Sequence, residues 1–272
     1  IESPTPDLTD WENFVERLIN PQHQVTIAVV GKYIDLQDAY KSIYESLTIA
    51  GAAHNAEVTI VRIDSESIEE GDASAIIGEV VGILIPGGFG DRGIEGKILA
   101  AQYARSTGIP FLGICLGMQI ATVEFARNVC DLEGAHTTEC NKDTPHPVIS
   151  LQEEQKGIKD MGATMRLGSC DSIVHPGTLA ANLYGGEQTI KERHRHRYEF
   201  NPAYLEKLTE AGLIISSVSA AEGLVEIIEL ADHPFYIGAQ FHPEFQSKPN
   251  RPHPLFSGFV KASLKSTAAG SA

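Results

Sequence analysis

Positive charge is scarce in this chain of 272 residues, which has 21 lysines and arginines against 36 aspartates and glutamates and a formal charge of −15. Nonspecific binding to nucleic acid or to an anionic membrane surface needs clustered positive charge. We therefore expect neither nucleic acid nor a membrane among the partners. No apolar run approaches the ~20 residues of a membrane span. The acidic, proline-containing start lacks the basic and then apolar pattern of a secretory signal.

Cysteine is scarce as well. The four cysteines are Cys115, Cys130, Cys140 and Cys170. None forms the closely spaced pair of a zinc ribbon, and four are too few for a disulfide scaffold of this size. We expect free thiols in a reducing, cytoplasmic compartment, and no metal site. One of these thiols can then be present for its reactivity.

Short apolar runs alternate with helical patterns through the first half of the chain. Predicted strands lie at 25–30, 58–63, 80–85 and 110–114, and predicted helices at 38–54, 93–105 and 116–128. This alternation favours an α/β fold with a mostly parallel central sheet and helices on both faces. An amphipathic helix before Pro21 predicts a separate arm over residues 1–23. The domain itself is expected over 24–265 and a flexible tail over 266–272.

The second half of the chain gives weaker signals. Residues 134–168 are polar and poorly periodic, so we expect irregular loops with one strand at 147–151. Further strands are predicted at 164–167, 172–174, 224–230 and 235–240, and a helix at 254–264.

Cys115 lies in Gly113-Ile114-Cys115-Leu116-Gly117, where a predicted strand passes directly into a helix. A nucleophile elbow has this pattern, because glycines remove the Cβ atoms that would clash at the sharp turn. The helix N-terminus favours a thiolate, and the Leu116 N–H can stabilise an oxyanion. The simpler interpretation is a small buried hydrophobic residue. The other three cysteines keep that interpretation.

His242-Pro243-Glu244 follows a predicted strand 127 residues after Cys115. If the segment stays extended, side chains two residues apart point the same way, so Glu244 can orient His242 towards the thiol. Alone, this motif is equally consistent with a strand end and a surface histidine. In an α/β-hydrolase the acid comes well before the histidine, which argues against that fold.

Gly88-Phe89-Gly90-Asp91-Arg92-Gly93 matches the glycine pattern of a dinucleotide-binding loop. However, it follows the third strand, and no acidic residue lies about 20 positions further on to hold a ribose. The alternative is a nest of backbone N–H groups, in which the Gly88 N–H supplies a second oxyanion donor. No Walker A motif is present.

The segment 192–201 contains the main basic cluster, Arg193-His194-Arg195-His196-Arg197. One interpretation is a strand with alternating charges or a structural ion-pair network. Another is an arginine that clamps a substrate carboxylate. Metal binding by His194 and His196 is less favoured, because no third ligand is near in sequence.

Three segments, 86–90, 113–119 and 240–245, together resemble the class I (triad) glutamine amidotransferases. Segments 90–93, 165–168 and 192–201 are similar to the glutaminase domains of the CTP synthase family in particular. The resemblance covers about residues 12–264. It implies the flavodoxin-like fold of these amidotransferases and a domain separated from an N-terminal synthetase domain, with the arm before Val25 as the linker.

The resemblance also implies residue roles. Cys115 would form a glutamyl thioester with L-glutamine, His242 would be base and acid, and Glu244 would orient His242. The oxyanion would be held by the Gly88 and Leu116 N–H groups. The substrate-binding residues would be Gly88, Gln119, Glu139, Arg197 and Tyr198.

No cofactor is implied for this chain itself. In the family, ATP, UTP and Mg belong to the synthetase domain, which uses the ammonia to make CTP, and GTP activates glutamine hydrolysis. The resemblance further implies a homo-oligomer for the full-length protein. Two alternatives stay open: a regulatory or scaffolding module with little activity in isolation, and another class I amidotransferase. Residues 136–140 depart from the family pattern around Glu139, and 141–160 match no pattern.

Overall fold

The structure is a computed structural model that describes residues 6–34, 36–151 and 165–270. Predictions placed on residues 1–5, 152–164 and 271–272 lie outside these ranges. The described helices are α1 Thr9–Ile19, α2 Lys41–Ala53, α3 Ser65–Glu70, α4 Ala73–Ile77, α5 Ile94–Thr107, α6 Leu116–Asn128, α7 Leu179–Leu183, α8 Leu205–Glu210 and α9 Pro254–Gly270. The described strands are β1 His23–Gly31, β2 Ala56–Asp64, β3 Gly82–Ile85, β4 Phe111–Ile114, β5 His136–Thr137, β6 Pro147–Ser150, β7 Arg166–Val174, β8 Thr189–His196, β9 Glu199–Phe200, β10 Leu213–Ser219, β11 Val225–Leu230 and β12 Tyr236–Ala239.

A nine-stranded sheet forms the centre of the molecule, in the order β2-β1-β3-β4-β12-β11-β10-β7-β8. The pairs from β2 to β12 are parallel, and those from β12 to β8 are antiparallel. The predicted α/β architecture is confirmed, with an antiparallel half that the sequence did not indicate. A smaller sheet has the order β5-β6-β9. Its strand β6 confirms the strand predicted at 147–151, whereas β5 lies where a loop was predicted.

The core strands are buried on both faces of the large sheet. In β1, Ala28 and Val30 belong to one apolar cluster, whereas Ile27 and Val29 belong to the other. Residues of α5 and α6 contribute to the first cluster, and residues of α2 and α9 to the second. Helices on both faces therefore exclude water from the strands, which explains their continuous apolar sequences.

Several boundaries differ from the sequence predictions. The two short strands expected between 164 and 174 are one strand, β7, which passes through Gly168 at φ +93°. The last helix continues to Gly270, so its end does not coincide with the domain boundary predicted at 265.

Strand β10 of the large sheet was not predicted, and β8 was only one of the interpretations of the basic segment 192–201. In β8 every second residue is buried, but three of those four buried residues are the polar Glu192, His194 and His196. Hydrophobic periodicity cannot detect a strand whose buried face is polar.

Candidate active site

Cys115 is the single residue between β4 and α6, and it has φ +52° and ψ −101°. A non-glycine residue at positive φ is strained and persists only where the surroundings hold it. The Cys115 N–H donates to the carbonyl oxygen of Ala239 on β12 at 2.7 Å, which fixes the turn to the sheet. The predicted elbow is therefore present in the structure.

The two glycines of the elbow are required by close backbone contacts. A Cβ atom at Gly117 would lie 2.1 Å from the carbonyl oxygen of Ile85, and one at Gly113 would lie 2.6 Å from the Gly117 carbonyl group. Both neighbours are backbone atoms of buried elements, so no side chain can move away to make room.

His242 and Glu244 form a hydrogen bond from Nδ1 to Oε1 at 2.7 Å. The backbone conformation that makes this contact differs from the prediction, because Pro243–Phe245 forms a 3₁₀ turn and not an extended segment. The turn brings the carboxylate beside the imidazole, and the bond to Nδ1 leaves Nε2 free to act on another group. Both residues are largely buried.

The electrostatics of His242 depend on Cys115. Burial acts to lower the pKa of His242, but the charge and hydrogen bond of Cys115, followed by those of Glu244, raise it to about 10. The direction favours a protonated imidazole opposite Cys115. An imidazolium in this position can stabilise a thiolate nucleophile and can donate a proton.

A cleft of about 240 Å³ opens at this pair. Its lining includes Gly88, Cys115, Arg195, His242 and Glu244. The neighbouring residue, Gly87, leaves room for His242, because a Cβ atom at this position would lie 2.9 Å from Cε1 of His242.

The residues that carry the two predicted oxyanion donors, Gly88 and Leu116, are neighbours in the structure. Leu116 is the first residue of α6, where the leading N–H groups have no partner within the helix. A Cβ atom at Gly88 would lie 3.3 Å from Cδ2 of Leu116, so the glycine loop passes over the start of the helix.

Glu139 lies against the glycine loop. Its Oε1 accepts a hydrogen bond from the Gly90 N–H at 2.8 Å. The loop therefore holds an anionic group through its backbone, which agrees with the interpretation of the loop as an N–H nest.

The other predicted substrate residues, Gln119, Arg197 and Tyr198, are not part of the cleft lining. Gln119 is buried, and its Nε2 donates to the carbonyl oxygen of Tyr198 at 3.0 Å. Burial and then Glu139 raise the pKa of Tyr198, while Arg197 opposes them, so these groups share one electrostatic environment. The structure thus brings the predicted residues into two adjoining groups, one around the thiol and one around Glu139.

Gln240 is a residue of the site whose role the sequence did not indicate. It is fully buried, and its Nε2 lies 3.7 Å from Sγ of Cys115. Its Oε1 accepts from Nε2 of Gln119 at 3.2 Å, so it connects the two groups. The sequence indicated this residue only by its position, directly after β12 and two residues before His242.

Across the described ranges, no three histidine, cysteine, aspartate or glutamate side chains are arranged to hold a metal ion. The same part of the chain contains no helix long and apolar enough to cross a membrane.

The family model for class-I glutamine amidotransferases matches residues 35–262. The chain belongs to that family. Among solved structures, the amidotransferase is similar to the glutaminase domain of a Trypanosoma brucei CTPS with bound acivicin, at 39% identity and a TM-score of 0.82 over 89% of this chain and 94% of the other. A glutamine amidotransferase from Methylobacillus flagellatus, at 13% identity and a TM-score of 0.52, shares the fold.

Curated relatives of the amidotransferase are CTP synthases. One from Synechococcus sp. (strain JA-3-3Ab) is 54% identical over 98% of this chain and 49% of its own length. One from Moorella thermoacetica is 56% identical over 97% of this chain and 49% of its own length. The chain thus spans about half the length of these relatives.

Proposed function

We propose that this amidotransferase hydrolyses L-glutamine through a thioester on Cys115. The observation that carries the proposal is the strained elbow cysteine beside the His242–Glu244 pair, whose members are joined at 2.7 Å and line the same cleft. A thiolate opposite an oriented imidazolium is the arrangement that covalent acyl transfer requires.

In the first step the Cys115 thiolate attacks the side-chain amide carbon of glutamine. The carbonyl oxygen becomes an oxyanion within reach of the Gly88 and Leu116 N–H groups. The C–N bond breaks as His242 gives its proton to the leaving nitrogen, which departs as ammonia. In the second step His242 removes a proton from water, the hydroxide attacks the thioester carbonyl, and glutamate leaves as the thiolate re-forms.

The amino-acid end of glutamine carries an ammonium and a carboxylate. We assign the ammonium to Glu139 and the carboxylate to Arg197, with Tyr198 and Gln119 beside them. The shared environment of Glu139, Arg197 and Tyr198 supports this assignment. A carboxylate and an arginine are the groups that such an end requires.

The fate of the ammonia is inferred from the relatives. Because they are CTP synthases of about twice this length, we infer that a synthetase domain of the same polypeptide uses the ammonia to convert UTP to CTP with ATP and Mg. GTP is the proposed activator, and the full-length protein is a proposed homo-oligomer. The four free cysteines support a reducing, cytoplasmic location.

The test uses acivicin, which is bound in the similar Trypanosoma brucei domain. We expect intact-mass analysis and peptide mapping to find one adduct, on Cys115, that excess glutamine prevents and that Cys115→Ala abolishes. An adduct spread over Cys130, Cys140 and Cys170, or one insensitive to glutamine, would contradict the proposal. Absence of labelling with and without GTP would favour the regulatory module.

A further inference from the structure

Strand β8 supplies backbone contacts to both reacting residues of the proposed triad. The carbonyl oxygen of Arg193 accepts from the His242 N–H at 2.8 Å, and that of Arg195 lies 3.9 Å from Sγ of Cys115. The strand is at the edge of the large sheet. Its position therefore influences the distance between thiol and imidazole.

The side chains on one face of β8 are buried, and most of them are polar. His194 and His196 are 3% and 2% exposed, and Nδ1 of His194 lies 2.9 Å from Nε2 of His196. The His194 ring also packs edge-on against Phe241, the residue before His242, with ring centroids 5.9 Å apart. The histidine pair thus contacts the catalytic segment as well as the strand.

A carboxylate stands at each end of the histidine pair. Nδ1 of His196 lies 3.2 Å from Oε1 of Glu199, and Nε2 of His194 lies 3.5 Å from Oε2 of Glu226. Arg166 on β7 is 2.6 Å from Glu226 but 3.9 Å from Glu199. The four side chains of this row, from Glu199 through the histidines to Glu226, are all nine-tenths or more buried.

Only the contact between the two imidazoles has hydrogen-bond geometry. Nδ1 of His196 and Nε2 of His194 face their carboxylates at ion-pair distance without forming a hydrogen bond. Arg166 lies beside both carboxylates and offsets their charge.

Burial raises the pKa of Glu199 well above its usual range, whereas that of Glu226, nearer Arg166, rises to about 7. Burial also lowers the pKa of His194 to about 3 and that of His196 well below its usual range, so both rings stay neutral. The row is therefore a buried polar contact between neutral rings and carboxyl groups, next to Arg166.

We propose that this buried row, Glu199–His196–His194–Glu226 with Arg166 beside its carboxyl groups, positions the proposed catalytic pair by fixing strand β8 next to Cys115 and His242. These are positioning residues that act through the backbone of β8. The inference rests on the proposed function, because the effect is expected on the reactivity of Cys115.

The test compares Glu199→Gln with Glu199→Leu in the complete 272-residue chain. Glutamine keeps the shape of glutamate and a polar group beside Nδ1 of His196, so kcat should stay within about twofold of wild type. Leucine removes that polar neighbour of His196. We expect kcat for glutamine hydrolysis to fall about tenfold or more while KM changes less than threefold, because β8 holds the reacting residues.

Glu229 provides the matched control. It lies on the same strand as Glu226 and is equally buried, but its carboxylate accepts from the N–H groups of Leu179 and Ala180 at the start of α7. Glu229→Leu should lower thermal stability without the selective loss of kcat. Equal loss of kcat in Glu229→Leu, or unchanged kcat in a folded Glu199→Leu, would overturn the proposal.

Two further measurements keep the test decisive. The alkylation rate of Cys115 by iodoacetamide needs no glutamine, so it should fall in Glu199→Leu even if the proposed glutaminase activity is wrong. If Glu199→Leu does not fold, His194→Gln replaces it, since a glutamine can reach Glu226 or His196 but cannot bridge both. A folded His194→Gln with wild-type alkylation rate and kcat would refute the positioning role.

Discussion

Glu139 accepts a hydrogen bond from the backbone N–H of Gly90 at 2.8 Å, so the carboxylate assigned to the substrate ammonium is held by the glycine loop. The loop that includes Gly88, a proposed oxyanion donor, therefore also orients a proposed binding group. Substrate binding and transition-state stabilisation share one segment of backbone. This relationship links the two groups of site residues.

Replacing Glu139 by glutamine should weaken substrate binding more than chemistry. The amide loses the charge that attracts the ammonium, and a hydrogen bond to a charged group contributes about 1.5–3 kcal/mol. We expect KM for glutamine to rise at least about tenfold with a smaller change in kcat, measured by glutamate release. The exposed Glu133→Gln is the control, and an unchanged KM in Glu139→Gln would remove Glu139 from the binding site.

Replacing Glu244 by glutamine should shift the pH dependence of glutamine hydrolysis. The pKa of His242 is raised by Cys115 and Glu244, and the imidazolium that protonates the leaving nitrogen is lost as pH rises through that pKa. Without the carboxylate the pKa falls, so the high-pH decline in kcat should move down by about one unit or more. Glutamate release across pH measures this, and an upward shift would contradict a protonated His242.

The Gly117→Ala substitution should prevent the elbow from forming. Its Cβ atom would lie 2.1 Å from the Ile85 carbonyl oxygen, so we expect a loss of about 3 kcal/mol or more in the free energy of unfolding. Gly177 has φ +82° and open space, so Gly177→Ala should cost only about 1 kcal/mol. Urea unfolding measures both, and equal losses would show that the steric account is wrong.

The thiols should differ in their reaction with iodoacetamide at pH 8. Burial, with Glu139 and Asp91, raises the pKa of Cys140 to about 12, and burial also raises that of Cys130. Both should remain protonated and react slowly. Peptide mapping over time should show Cys115 alkylated at least about tenfold faster than Cys130 or Cys140. Faster reaction of Cys140 would mean that its surroundings differ from the structure described.

Local sequence determined the parallel part of the fold and the reacting residues of the site. The continuous apolar strands, the Gly113–Gly117 elbow and the His242–Glu244 spacing can be predicted because each depends on neighbouring residues and on backbone sterics. α6 has the predicted bounds, Leu116–Asn128, since the elbow defines its start.

Only the tertiary structure decided the rest. The antiparallel half of the sheet could not be predicted. Strand β8 was only one interpretation of its segment, because it buries Glu192, His194 and His196 where periodicity expects apolar residues. His194 and His196 are tolerated in the core because Glu226 and Glu199 lie within ion-pair distance. Glu192 accepts a hydrogen bond from the Tyr184 hydroxyl and lies 2.9 Å from Nε2 of His253. The contact of Gln240 with Cys115 likewise joins residues 125 positions apart. The sequence determined which groups could react, and long-range packing decided which groups surround them.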